Sequence, residues 1–219
     1  CQWGMMFVAL KGWKRFLLRA DELLICGLST HIETESFSIY NEAVKHKIYK
    51  PEKSQVIWNG SACGVNLDHY QLHHRDEWRK EVRAQYGIPA DAVVFGWCGR
   101  ITRDKGHNEL LSAFKELNKT NKSARLMMVG GNDSAETINP ELFKWAHECP
   151  EVIFTGRVPR TDVSKYYSAM DVFCSLSYRE GFGLVVIEAA AMMLPGIVTD
   201  VPGQIDTHEN MVTGITVHA

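Results

Sequence analysis

The chain has 219 residues, enough for one large domain or for one domain and part of another. Its 24 Lys and Arg against 26 Asp and Glu leave a formal charge of −2, which excludes a strongly basic nucleic-acid binder, and 45% hydrophobic residues describe an ordinary soluble globular protein. The cysteines Cys1, Cys26, Cys63, Cys98, Cys149 and Cys174 are scattered and form no C-x-x-C pair. They point away from a disulfide framework and toward free thiols in a reducing cytosol.

In chain order, residues 1–20 carry no cleavage pattern and no uninterrupted apolar span, and the start at Cys1 rather than Met reads as a piece of something longer. Residues 3–20 hold no acid, while Lys11, Lys14, Arg15 and Arg19 recur at helical spacing opposite Leu10, Trp13, Leu17 and Ala20. This predicts a basic amphipathic helix, either packed on the protein with a solvated basic side or in peripheral contact with anionic lipid. A short strand is expected at 22–26, a polar helix at 32–45, and a second strand at 55–58 closed by Asn59-Gly60. Residues 66–90 are crowded with charge and end at Gly87-Ile88-Pro89, so a linker and an exposed helix near 75–86 are placed there. His69 and His73 stand four apart but lack a matching Glu or Cys, and no metal site is expected.

Beyond this stretch, strands at 93–98, 126–129, 152–154, 171–174, 197–199 and 215–217 alternate with helices at 107–119, 141–148, 163–169 and 184–193. That rhythm predicts an α/β fold with a parallel sheet and helices on both faces, whose ligands bind beyond the carboxyl ends of the strands. Three loops then reach one rim: Gly99-Arg100 through Lys105-Gly106, Gly130-Gly131-Asn132-Asp133, and Gly156-Arg157-Val158. Arg100 and Lys105 suit a diphosphate, Arg by forking onto two oxygens and Lys as a compact charge. Surface salt bridges, such as Lys105 to Glu109, are the plainer alternative.

The fourth strand leads into Glu180-Gly181-Phe182-Gly183 and an apolar helix from Leu184 that is interrupted only by Glu188. A carboxylate in such surroundings needs a donor on another element or a ligand rich in hydroxyls. The glycines allow close backbone approach, and the helix N-terminus favours an anion. A nucleotide diphosphate-sugar combines these chemistries.

Gly99-Arg100 with Lys105-Gly106, the Gly130 loop, Phe154-Thr155-Gly156, the Glu180-to-Glu188 stretch and Thr213-Gly214 together resemble the donor-binding domain of GT-B retaining glycosyltransferases of family 4. Ser177-Tyr178-Arg179-Glu180-Gly181-Phe182-Gly183 and Asn59-Gly60-Ser61 are similar to members that build capsule, O-antigen or exopolysaccharide chains. The resemblance implies two Rossmann-like domains with the active site in the cleft between them. Residues 1–72 would be the end of the N-terminal acceptor domain with its linker, and 73–219 the donor domain, truncated at its C-terminus.

Carried over by position, Arg100 and Lys105 would neutralise the departing diphosphate and Glu180 would contact the transferred sugar. Gly99, Gly181, Phe182, Gly183 and Leu184 would meet the donor, Glu188 would hold the ribose, and Arg157 with Val158 would border the base. The implied reaction moves a sugar from a nucleotide-sugar donor, UDP being the commonest carrier, to a glycan or polyprenyl-diphosphate-linked acceptor. Retention and no metal or other cofactor are expected, in the cytoplasm, either free or peripheral on the inner face of the cytoplasmic membrane. A nucleotide-sugar epimerase of the same fold, or an inactive nucleotide-sugar-binding fragment, is the alternative.

Overall fold

The computed structural model of the chain describes residues 11–61, 63–131 and 138–219. Contacts divide it into two units. One takes the chain up to Gly64 together with Arg179–Leu184 and Val201–Thr207; the other takes Val65–Tyr178, Val185–Asp200 and His208–Ala219.

In the first unit, helix α1 (Gly12–Leu28) is followed by β1 (Ile32–Thr34), α2 (Phe37–Lys45) and β2 (Ser54–Val56), and the two strands pair in parallel. The strand expected at 22–26 is instead the end of α1. A short apolar run does not by itself separate strand from helix, and Ala20-Asp21-Glu22-Leu23-Leu24, mostly strong helix formers, continue the turn they start from. The helix expected over 32–45 is a strand and a shorter helix, because Ser36 caps α2 by accepting the Ile39 N–H at 3.3 Å. Cys26, Ile32, Ala43, Ile48 and Tyr49 form this unit's buried cluster, with Leu18 against it. Leu18 and Cys26 share one side of α1, so Trp13, Leu17, Leu24 and Leu28, on the other side, are exposed. The apolar stripe, for which packing on the protein is one of the two readings from sequence, is exposed among the described residues. The part of the predicted helix before Lys11 lies outside the described residues.

The second unit is built on six parallel strands in the order β5-β4-β3-β6-β7-β8: β3 (Val94–Cys98), β4 (Arg125–Val129), β5 (Val152–Gly156), β6 (Val172–Ser175), β7 (Gly196–Thr199) and β8 (Gly214–Val217). Alternate residues of each strand point to opposite faces, and two separate buried clusters result. Met127, Val129, Phe173 and Val198 join one cluster with residues of α3 (Arg75–Gln85), α6 (Val163–Ala169) and α7 (Leu184–Ala191). Leu126, Met128 and Cys174 join the other with α4 (His107–Thr120) and α5 (Pro140–Glu148). Helices thus cover both faces, as the strand–helix rhythm predicts.

Helix α3 was expected to be exposed, yet its polar run hides Arg83, which is 4% exposed. Asp171, just ahead of β6, accepts from Arg79 at 2.6 Å, from Arg83 at 2.8 Å and from the Val94 N–H at 2.8 Å. Arg83 also donates to the carbonyls of Ala169 and Ala92, each at 3.0 Å. One acid and two guanidiniums therefore tie α3, α6 and the starts of β3 and β6 together. At the other end of β3, His107 opens α4, buried edge-on against Trp97 with ring centroids 4.3 Å apart. Its Nδ1 lies 3.1 Å from the Thr102 carbonyl, and burial holds its pKa down at about 4.

Candidate functional site

The strand order reverses between β3 and β6: the helix after β3 lies on one face and the helix after β6 on the other. Loops that leave adjacent strands toward opposite faces open a crevice at their carboxyl ends. Here the two loops also touch. The Tyr178 N–H donates to the Asp104 carbonyl at 2.9 Å, and a Cβ on Gly106, whose φ is 67°, would collide with the Leu176 carbonyl. Next to them, a Cβ on Gly130 would collide with the Gly99 carbonyl. Two glycines are thus required for the backbones to come together at this edge.

Between the ends of β3, β4 and β5 lies a cavity of about 180 Å³ lined by Cys98, Gly99, Arg100, Gly130, Arg157 and Val158, among others. Four of the residues predicted from sequence, Gly99, Arg100, Arg157 and Val158, meet here. Ligand pockets commonly span roughly 300–1,000 Å³, so this space suits one portion of a ligand, flanked by two exposed guanidinium-bearing residues. Lys105 ends the short turn Arg103–Lys105 of the same loop, half-buried and outside the cavity's lining.

Glu188, on α7, is 8% exposed and has the partners its surroundings demand. The Tyr167 hydroxyl, from α6, donates to its Oε2 at 3.2 Å, and burial, with the Glu188 charge adding to it, raises the Tyr70 phenol above its ordinary value. Arg160 comes to 3.8 Å of Oε1, but its side chain is 79% exposed, so this pairing contributes little. The Cys98 thiol lies at the cavity wall, and burial pushes its pKa up to about 11, so it stays protonated.

The remaining predicted residues, Glu180, Gly181, Phe182, Gly183 and Leu184, belong to the first unit. There the Glu180 and Gly181 carbonyls press on Gly203, whose φ is 88°, and Phe182 packs against Gly60 of the Asn59-Gly60 turn. Burial, with the Glu180 charge adding to it, raises the Glu35 carboxyl above its ordinary value.

Sequence reasoning missed Cys98, Tyr70 and Tyr167. Tyr167 lies inside a correctly placed helix, where an aromatic reads as core, and nothing local links Tyr70 to an acid 118 positions later. His69 and His73 fall in separate turns, Leu67–His69 and Leu72–His74. Among the described residues no group of three or more His, Cys, Asp or Glu could hold a metal ion. Residues 132 and 133 of the predicted Gly130 loop lie outside the described residues.

The sequence matches the family described as glycosyl transferases group 1 over residues 79–219. It is 31% identical over 98% of its length to the capsular polysaccharide biosynthesis glycosyltransferase CapM of Staphylococcus aureus, of which it covers 55%. Among solved structures, the Anabaena protein Alr3699/HepE, in complex with UDP and glucose, matches with a TM-score of 0.72 at 20% identity, over 91% of this chain and 53% of that one. Sucrose-phosphate synthase from Thermosynechococcus elongatus matches with a TM-score of 0.74 at 27% identity, over 96% and 50%. The chain thus spans about half the length of the relatives it matches. The α/β fold with its parallel sheet and helices on both faces is what the chain shares with these structures. With the match extending from α3 through β8, the chain belongs to the glycosyl transferases group 1 family.

Proposed function

We propose that this chain carries the donor-binding part of a family 4 retaining glycosyltransferase in polysaccharide biosynthesis. The donor is a nucleotide diphosphate-sugar, with UDP as carrier, and the acceptor is a glycan or a polyprenyl-diphosphate-linked sugar. One observation carries the reading: a cavity at the carboxyl ends of β3, β4 and β5 holds Arg100 and Arg157 at its wall, in the same unit as the buried acid Glu188. The capsular relative and the neighbour solved with UDP and glucose support the same chemistry. Isothermal titration with UDP, GDP and ADP is the direct test; absence of binding to all three would overturn the reading.

In this reading Gly99 lets the backbone approach the donor, Arg157 and Val158 border the base, and Glu188 accepts from the ribose hydroxyls. Arg100 and Lys105 stabilise the charge that develops on the diphosphate as the sugar–oxygen bond breaks, the step where fixed cations gain most in a water-poor site. Glu180 keeps its proposed contact with the transferred sugar, and Gly181, Phe182, Gly183 and Leu184 theirs with the donor. With two cations on the leaving group, no divalent ion is required. In the whole enzyme we expect EDTA to leave turnover unchanged and Arg100→Ala to lower kcat by about 10²–10³. Activity abolished by EDTA and restored by magnesium would reverse the assignment of that charge.

The exposed stripe of Trp13, Phe16, Leu17, Leu24 and Leu28, opposite Lys11, Lys14, Arg15 and Arg19, suits peripheral contact with an anionic bilayer at its cytoplasmic face. No helix among the described residues is long and apolar enough to cross a membrane. Sedimentation with phosphatidylglycerol vesicles should fall several-fold when the four cations are neutralised; unchanged sedimentation would discard the contact.

A further inference from the structure

The loop that carries Arg100 and Lys105 is seated on one pair of rings. Trp97, near the end of β3, is 3% exposed, and the Gly99 turn lies directly over it: a Cβ on Gly99 would come to 3.2 Å from the indole. His107, at the start of α4, sets its ring edge-on against the same indole, with centroids 4.3 Å apart. Its Nδ1 lies 3.1 Å from the Thr102 carbonyl, which also accepts the Lys105 N–H at 3.1 Å. A carbonyl can only accept, so the ring donates from Nδ1. Its Nε2 is then a bare acceptor, and that atom is buried without a hydrogen-bond partner among the described residues. A leucine here would strand no polar nitrogen, and burial already holds the imidazole neutral, with its pKa down at about 4. What the imidazole supplies that an apolar side chain cannot is the single N–H on Thr102.

We propose that His107 is a positioning residue, which pins the Thr102 carbonyl and so holds Arg100 and Lys105 in the arrangement that grips a diphosphate. The proposal rests on the assignment of those two cations to the diphosphate. The loop is tied near both ends: the Gly99 N–H donates to the Val129 carbonyl at 2.9 Å, and the Asp104 carbonyl accepts the Tyr178 N–H at 2.9 Å. Its middle is Thr102, whose hydroxyl donates to Asp104 at 2.7 Å and whose carbonyl is held by the two N–H groups. Thr102 stands between Arg100 and Lys105 in the chain, so a shift of this peptide moves both cations. Long basic side chains lose rotamer freedom when they hold an anion, and a backbone fixed beforehand keeps the remaining ordering cost low. Because the imidazole is neutral, it fixes the loop without adding a charge to it.

The test compares UDP with UMP, and GDP with GMP, by isothermal titration of the full chain as wild type, His107→Phe, His107→Leu, His107→Asn and Arg100→Ala. The wild type should bind the diphosphate of its base about tenfold or more tightly than the monophosphate, as for one or more contacts to a charged group, and Arg100→Ala should shrink that ratio. His107→Phe keeps a ring against Trp97 but has no N–H to give. It should shrink the ratio about five- to tenfold, as for one charged contact weakened, and leave the monophosphate unchanged. His107→Asn, whose amide can donate to the same carbonyl, should recover most of the ratio. A merely structural histidine would weaken both nucleotides alike, or neither. Either result in His107→Phe overturns the proposal, as does a His107→Asn protein no better than His107→Phe. His107→Leu decides in the same way where the Phe variant fails to fold. A wild type with no preference for the diphosphate, or one whose preference survives Arg100→Ala, shows instead that these cations do not hold it, and the proposal falls with that assignment. No binding of any of the four nucleotides removes the donor reading itself.

Discussion

Replacing Glu188 by alanine should reduce nucleotide affinity 30-fold to 1,000-fold. A hydrogen bond to a charged group is worth roughly 1.5–3 kcal/mol, and two ribose hydroxyls on one carboxylate would lose about 2–4 kcal/mol together, allowing for imperfect additivity. Isothermal titration measures this directly. Glu188→Gln should fall between wild type and alanine, because the amide keeps one acceptor oxygen but loses the charge and presents an N–H₂ where a hydroxyl should donate. The structural cost is separable: in Glu188→Ala the buried Tyr167 hydroxyl loses an acceptor, which lowers the melting temperature without being specific to any nucleotide. Affinity within a factor of three of wild type in a folded Glu188→Ala protein would remove Glu188 from the site.

The sheet of the second unit was readable because its strands are buried on both faces. They stand out as short apolar runs, and the observed bounds differ from the expected ones by a residue or two. Gly99, Arg100, Arg157 and Val158 could be placed at one edge because that edge follows from topology: in parallel strands every carboxyl end lies on one side. The first unit was harder. A run such as Leu23-Leu24-Ile25-Cys26 has no period that separates strand from helix, and only the chain before it decides. The Ser36 cap was also hidden within a stretch that looked uniformly polar. The partners of Glu188 were not readable at all. Sequence shows that a buried acid needs donors, but the Tyr167 donor lies 21 positions away and is chosen by packing.

The same logic of a polar group tied to distant partners applies to Asp171 in the second unit. Asp171→Ala should destabilise the protein by about 3 kcal/mol, the lower end of the range for breaking a buried ion pair, since the carboxylate is 30% exposed while Arg83 is 5% exposed. The larger share comes from Arg83, which keeps carbonyl acceptors but loses its counter-charge, and the remainder from the Val94 N–H left without its acceptor. Urea unfolding followed by fluorescence of the buried Trp97 reads this out, and a midpoint equal to wild type would refute it. The pH dependence separates this acid from His107. Burial alone would raise the Asp171 carboxyl, but the Val94 N–H and the two guanidiniums hold it below its ordinary value. Its contribution is therefore complete above pH about 4 and disappears only below that. His107 is held neutral by burial, with its pKa lowered from 6.5 to about 4, so the unfolded chain takes up a proton before the folded one does. Stability should then fall between pH 6.5 and 4 by roughly 3 kcal/mol, at about 1.4 kcal/mol per pH unit. His107→Leu should flatten that interval and leave the steeper loss below pH 4, whereas Asp171→Ala should keep the slope between 6.5 and 4 and lose part of the drop beneath it. A wild-type protein equally stable at pH 6.5 and pH 4.5 would mean that His107 is not held neutral by the packing around it.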